Sequence, residues 1–211
     1  MDMEQKTDTK IVALEKEETH LQGGRKDMRL FIAAEFDEQS KQKIWEIASK
    51  LEEKCIKGSF SRKGNFHLTL AFLGETEKNK VGAIMEILET IPAQPMALEC
   101  TGLGRFRRNG DIYWIGTRPY PPIQKIHEKI QKDLENVGFS LEQRPFIPHI
   151  TLARRAVPKE NFIKKELDEL AAGLRIPIKA ITLMQSSRIK GRLVYTPVYR
   201  KKLKDESHSS Y

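Results

Sequence analysis

The chain has 211 residues, 39% of them hydrophobic, enough for a sizeable core. Its two cysteines match no metal-ligand spacing, no stretch approaches a membrane span and nothing resembles a signal peptide; these features argue against a disulfide framework or a membrane role, and a reducing cytoplasmic setting is expected. The formal charge is +8 although residues 1–27 are net acidic, so the body is strongly basic and a polyanion, nucleic acid first, is the expected partner.

Residues 1–27 read as a polar, charged tail. Residues 29–36 form a buried-type strand. Asp37 then caps a helix reaching about residue 54, with Ile44, Ile47, Ala48 and Leu51 at helical spacing. Residues 66–73 alternate as a strand, with Phe66, Leu68, Leu70 and Phe72 pointing one way and His67, Thr69 and Ala71 the other, and Gly74 ends it. A helix over 78–90 and a strand over 96–103 complete a β-α-β-α-β unit. The order then repeats: strand 111–117, helix 123–137, strand 147–154, helix 159–172, strand 176–184. Residues 193–203 add a last strand, turned back through Lys190-Gly191-Arg192. Residues 204–211 read as a second tail. The expected fold is α+β, a single bilobal domain over 28–203. Two repeat units, about 29–106 and 111–188, supply mainly antiparallel sheet with outer helices and a central groove.

One phrase recurs at a fixed offset. His67-Leu68-Thr69-Leu70-Ala71 and His149-Ile150-Thr151-Leu152-Ala153 stand 82 residues apart, and the same offset pairs Phe31 with Tyr113, Arg62 with Arg144 and Pro95 with Pro177 without a gap. Residues i and i+2 of a strand share a face, so His67 projects with Thr69 and His149 with Thr151. Ala71 and Ala153 continue that face and leave room for a ligand. A single His-x-Thr is a weak signal, but its recurrence in equivalent slots points to one shared site. Two opposed imidazoles suit hydrolysis or transfer at phosphorus: a neutral one takes a proton from the incoming oxygen and a protonated one gives a proton to the leaving oxygen. Threonine hydroxyls and an arginine can meet the non-bridging oxygens. No carboxylate or cysteine recurs beside the histidines, so neither a metal nor a cofactor is expected. His20, His127 and His208 have no repeat partners and read as tail or helix-surface residues.

The segments 66–74 (Phe66-His67-Leu68-Thr69-Leu70-Ala71-Phe72-Leu73-Gly74) and 144–154 (Arg144-Pro145-Phe146-Ile147-Pro148-His149-Ile150-Thr151-Leu152-Ala153-Arg154) resemble the paired signatures of the two-histidine phosphoesterases. Within them, the match is to the RNA 2′,3′-cyclic phosphodiesterase family, historically called 2′-5′ RNA ligases. Arg29–Ala33, Gly104–Phe106 and Tyr113–Gly116 resemble its other landmarks, and the resemblance covers about residues 28–200. It implies metal-independent opening of a ribose 2′,3′-cyclic phosphate to a 2′-phosphomonoester. His67 would protonate the departing O3′, His149 would activate water, and Thr69, Thr151 and Arg154 would hold the phosphate. Strict alternation puts Arg154 on the face opposite His149 and Arg155 on the same face. The resemblance therefore requires a bulge or a strand end at Arg154, and Arg155 is the other candidate.

Arg62 and Arg144 lie in segments that can rim the groove, there to guide RNA phosphate or simply to solvate the surface. Phe106, within a basic loop over 105–108, either stacks a base or is buried. RNA ends or cyclic nucleotides are the expected partners of a monomer. The same acid–base pair would also serve 2′-5′ ligation, the reverse chemistry. A third reading, a nucleotide- or RNA-binding module without chemistry, is disfavoured because both histidines and both threonines are present.

Overall fold

Two neighbours hold the first strand. β1 (Met28–Phe36) pairs antiparallel with β3 (His67–Thr76) on one edge and β7 (Arg175–Ile189) on the other, which buries it from Leu30 to Phe36. The computed structural model describes residues 27–108 and 110–204; the expected tails at 1–27 and 204–211 lie outside the described residues except at Asp27 and Lys204. α1 (Glu38–Glu53) follows, capped by Asp37, whose carboxylate accepts from the Ser40 N–H at 2.7 Å. It buries Ile44, Ile47, Ala48 and Leu51, each larger aliphatic contributing roughly 1.5–3 kcal/mol. The remaining elements are β2 (Cys55–Phe60), α2 (Val81–Glu89), β4 (Met96–Arg108), β5 (Gly110–Thr117), α3 (Pro121–Asn136), β6 (His149–Pro158), α4 (Lys164–Ala171) and β8 (Arg192–Lys202).

β2 is the strand that periodicity does not indicate. It is an edge strand, paired only with β6, and most of its residues are exposed. With neither face buried, it has no hydrophobic alternation to read. The basic segment 105–108 is the end of β4, paired with β5, and not a loop. At the β7–β8 turn, Lys190 and Gly191 both have positive φ, as a two-residue hairpin requires.

All eight strands form one antiparallel hydrogen-bonded network. Within it, β3-β1-β7-β8 make one four-stranded group and β4-β5-β6-β2 another. The groups join where Met96–Glu99 of β4 pairs with β7 and at a single β3–β6 pair, Leu68 with Ile150. α2 and α3 cover the first group; α1 and α4 cover the second. The groups therefore are not the repeats. β7 and α3 come from the second repeat into the first group, and β4 and α1 come from the first repeat into the second. Each repeat completes its core only with elements of the other.

Both repeats bulge at the same place. Opposite β1, the pairing passes from Ala71–Ile32 to Thr69–Ala33, leaving Leu70 without a partner; opposite β5 it passes from Ala153–Tyr113 to Thr151–Trp114, leaving Leu152 without one. Leu70 and Ala71 are then both buried, as are Leu152 and Ala153. The next residues, Phe72 and Arg154, turn out to the face that carries the threonines. This corrects three expectations from strict alternation: Phe72 is 60% exposed and not core, Ala153 is core and lines neither cavity, and Arg154 lines the groove, while Ala71, though buried, still lines the smaller cavity beside Thr69. The ungapped repeat is corrected too. Thr69 faces Ala33 but Thr151 faces Trp114, a slip of one residue, so Ile112 takes the place of Phe31 at the groove and Tyr113 is buried.

Beyond the second bulge, Arg155 has φ +53°. Gly110 passes so close that a β-carbon there would stand 2.7 Å from the Arg155 Cα, and Gly110 itself has φ +92°. Gly110→Ala is therefore expected to cost about 1–3 kcal/mol in urea unfolding. Gly64→Ala, where a β-carbon meets nothing within 4 Å, should stay within about 0.5 kcal/mol. Equal stability of the two variants would remove the steric role of Gly110.

Candidate active site

The single β3–β6 pair brings the two histidine phrases together. Leu68 and Ile150 stand opposite each other, both fully buried. In antiparallel pairing the residues before one and after the other are also neighbours, so His67 lies by Thr151 and Thr69 by His149, all on the opposite face from the two aliphatics. The cavities divide in the same way. One of about 1030 Å³ is lined by His67, Thr151 and Arg154. Another of about 350 Å³ is lined by Thr69, His149, Phe72 and Phe106.

Aromatic rings wall each imidazole. Phe31 and Tyr195 stand 4.9 and 5.2 Å from the His67 ring, the tyrosine edge-on. Phe106 and Trp114 stand 5.2 and 5.7 Å from His149, the phenylalanine edge-on. Trp114 lies across Gly104, where a β-carbon would come within 2.0 Å of the indole. A glycine at 104 thus leaves room for the indole that flanks His149.

The backbone fixes both rings alike. His67 Nδ1 lies 2.7 Å from the Asn65 carbonyl, and His149 Nδ1 lies 2.7 Å from the Ile147 carbonyl. A carbonyl only accepts, so Nδ1–H donates in both and Nε2 is left to exchange protons. In His67 that nitrogen accepts from the Thr69 hydroxyl at 3.0 Å. Burial pushes His67 down to about 4, with the Asn65 carbonyl opposing and the Arg154 and His149 charges adding to the fall. Burial also lowers His149, again with the Ile147 carbonyl opposing and Arg154 adding. Both rings are neutral near pH 7 in the free protein.

A match to the 2′-5′ RNA ligase superfamily covers residues 39–190. The chain belongs to this superfamily. It is 34% identical over 131 residues to an RNA 2′,3′-cyclic phosphodiesterase of Thermotoga maritima, an alignment covering 60% of this chain and 70% of that protein. An Escherichia coli protein of the same name is 30% identical over 142 residues, covering 64% and 74%. The crystal structure of E. coli LigT complexed with 3′-AMP superposes with a TM-score of 0.71 at 27% identity, over 85% of this chain and 99% of that one.

In this superfamily member, Arg154 lines the large cavity and a neighbouring one of about 660 Å³ that also contains His67, Phe72 and Tyr195. Arg155 also lines the large cavity, where it reaches the Ser59 hydroxyl at 3.3 Å. Arg62 stands in the large cavity, but Arg144 stands in the smaller one, ion-paired with Glu142. The two repeat-related arginines therefore sit at different ends of the groove. Arg105 is held by Asp111 at 3.2 Å. His127 is not a plain helix-surface residue: it stacks on Phe146 at 4.0 Å and bonds the carbonyl of the bulged Leu70 at 2.8 Å.

Sequence reasoning missed Tyr195, Arg188 and Arg192 of the β7–β8 hairpin, all lining the large cavity. Tyr195 and Arg192 lie past the second repeat unit, so the duplication gave no signal for them. It also missed Glu35, opposite His67 on β1, buried and held by the Thr182 hydroxyl at 2.5 Å and by Arg200 at 2.7 and 3.2 Å. Burial alone would raise this carboxyl, but the bonds from Arg200 and Thr182 outweigh it and lower it. Its negative charge in turn favours the imidazolium of His67.

The depressed His67 couples stability to pH. An unfolded histidine titrates near 6.5 and the folded one at about 4, so the unfolded state binds the extra proton between those values. The stabilisation is full above pH 6.5 and is lost as pH falls towards 4, by roughly 3 kcal/mol in all. His67→Gln should therefore lose ~2 kcal/mol less than the parent between pH 7.5 and 4.5 in urea unfolding. Parallel pH dependence in the two proteins would show that His67 is not held neutral.

Proposed function

We infer that this protein hydrolyses the 2′,3′-cyclic phosphate at RNA ends to a 2′-phosphomonoester. The observation that carries the mechanism is the pair of imidazoles brought together at one β-bridge, each with Nδ1 anchored to a carbonyl two residues back. Its relatives named RNA 2′,3′-cyclic phosphodiesterase and the LigT complex with 3′-AMP support the substrate class.

In the reaction the water oxygen bonds to phosphorus and the P–O3′ bond breaks. One imidazole Nε2 takes a proton from the water and the other gives one to O3′. Following the family resemblance, His149 is the base and His67 the acid. The acid needs a proton that the free protein does not hold. The substrate supplies the reason for uptake: its phosphate anion favours the imidazolium directly and engages Arg154, whose positive charge otherwise opposes it. Thr69, Thr151 and Arg154 hold the non-bridging oxygens, where negative charge collects. The proposed route assigns both proton transfers to imidazoles and the phosphate charge to Arg154, and so calls for no metal ion.

An RNA ending in a 2′,3′-cyclic phosphate should yield the 2′-phosphate with chelator present. Loss of all activity in chelator, restored by a divalent ion, would overturn the metal-free route; a 3′-phosphate product would overturn the breaking of P–O3′. His67→Ala and His149→Ala should each lower kcat by roughly 10²–10⁴, and Arg154→Ala should cost more than Arg155→Ala. Near-parental turnover by either folded histidine variant would remove that residue from the chemistry.

The pH profiles should also differ between free and bound enzyme. kcat/KM reports the free enzyme, in which both histidines lie below 6.5, one of them at about 4. It should be bell-shaped with its optimum below pH 6.5, while kcat, reporting the complex with a bound anion, should peak at higher pH. A kcat/KM optimum above pH 7 would contradict the depressed imidazoles.

A further inference from the structure

The large cavity holds more positive charge than one cyclic phosphate requires. Besides Arg154, it is lined by Arg62, Arg155, Arg188 and Arg192, with no carboxylate among the residues lining it. None of these five arginines forms an ion pair among the described residues. The contacts of Arg155 and Arg188 are with neutral oxygens, the Ser59 hydroxyl at 3.3 Å and the Gly191 carbonyl at 3.4 Å. Lys190 joins Arg62 and Arg192 around an adjoining hollow of about 420 Å³. The other end of the groove is different: Arg144 is paired with Glu142, and the walls are Phe72, Phe106, Phe146 and Ile147.

Like charges gathered around one hollow repel, and a polyanion relieves that repulsion. At about 1030 Å³ the hollow also lies at or above the roughly 300–1,000 Å³ that holds a whole small ligand. The β7–β8 hairpin sets a direction. Tyr195 stands against His67, and the strand runs back from there through Leu193 and Arg192 to the turn at Lys190-Gly191, with Arg188 on the paired strand. Arg29, beside the neighbouring cavity, is paired with Glu75, so among the described residues the cavity-lining arginines without an ion pair lie on this side of the reacting end.

We propose that the RNA chain leading to the reacting cyclic phosphate lies over the β7–β8 hairpin, its phosphates held by Arg62, Arg188 and Arg192, so that the enzyme selects polymeric RNA ends over free cyclic mononucleotides. The apolar end near Arg144 carries no phosphate track. The proposal rests on the cyclic phosphodiesterase reading for the reacting end, but the track itself is a matter of binding.

The test compares the parent with the double variant Arg188→Gln/Arg192→Gln. A second double variant, Lys125→Gln/Lys132→Gln on the exposed face of α3, makes the same change in net charge. KM is measured for a short RNA with a 2′,3′-cyclic phosphate end and for a cyclic mononucleotide. Binding of a labelled 2′-phosphate-ended RNA is followed by fluorescence anisotropy as salt rises. The hairpin variant should raise the oligomer-to-mononucleotide KM ratio about tenfold. It should also flatten the salt dependence of log K by roughly 1.4, two single-strand phosphate contacts. The α3 variant should do neither. An unchanged ratio and slope in a hairpin variant that folds, or equal effects of the two variants, would overturn the track. A parent inactive on both substrates that still binds RNA with a hairpin-dependent salt slope would instead overturn the hydrolytic reading and leave the track standing.

Discussion

The site depends on one constraint: two strands from different repeats touch at a single residue pair and then part. At Leu68 and Ile150 the backbones of β3 and β6 are close enough to hydrogen-bond, and both side chains are driven fully into the core. Strand alternation then leaves the flanking histidines and threonines no choice but the opposite face. Beyond that pair β3 stays with β1 while β6 takes β2, so the two groups separate and the space between them becomes the groove. Burial of two aliphatic side chains thus places four polar ones. Because the contact is antiparallel, it is self-complementary, and each histidine shares its cavity with the threonine of the other repeat.

The bulges turn this symmetric arrangement into an unequal one. Each inserts a leucine into the core and turns the second residue after it outward. In the first repeat that residue is Phe72 and in the second it is Arg154. The same backbone device therefore supplies an apolar surface on one side and a guanidinium on the other. The inequality extends outward, to a cavity walled by arginines that form no ion pair among the described residues and a smaller one walled by aromatic rings. Burial is the main cause that holds both imidazoles below their ordinary value, and the Arg154 charge adds to it, so an anion that engages Arg154 would remove that second contribution.

The exchange of elements between the repeats bears on how the site keeps its geometry. Since α3 and β7 complete the group around β1 and β3, and α1 and β4 complete the group around β5 and β6, neither half buries its apolar surface alone. Hinge motion between the groups would break the β4–β7 pairing as well as the Leu68–Ile150 bridge. The histidine pair is thus carried by strands inside one continuous core, while the exposed β7–β8 hairpin is less constrained by packing.

The repeated His-x-Thr phrase, the helix capped by Asp37 and the order of the strands and helices other than β2 were legible from the sequence alone, because they rest on local rules: i, i+2 alternation, helical spacing and side-chain capping. Duplication made the site legible as well, since a polar pair recurring in equivalent slots needs no knowledge of contacts. What depends on non-local pairing was not legible. The bulges arise from register between β1 and β3 and between β5 and β6, and one unpaired leucine in each reverses the face of everything after it. Phe72 and Ala153 were therefore misplaced, and alternation turned Arg154 away from the groove that it lines. β2 was invisible because an exposed edge strand buries no stripe. Tyr195 and Arg192, past the repeat, and Arg188, within it, join the site only because β8 folds back along β7, an arrangement that hydrogen bonding between distant strands decides and no local pattern records.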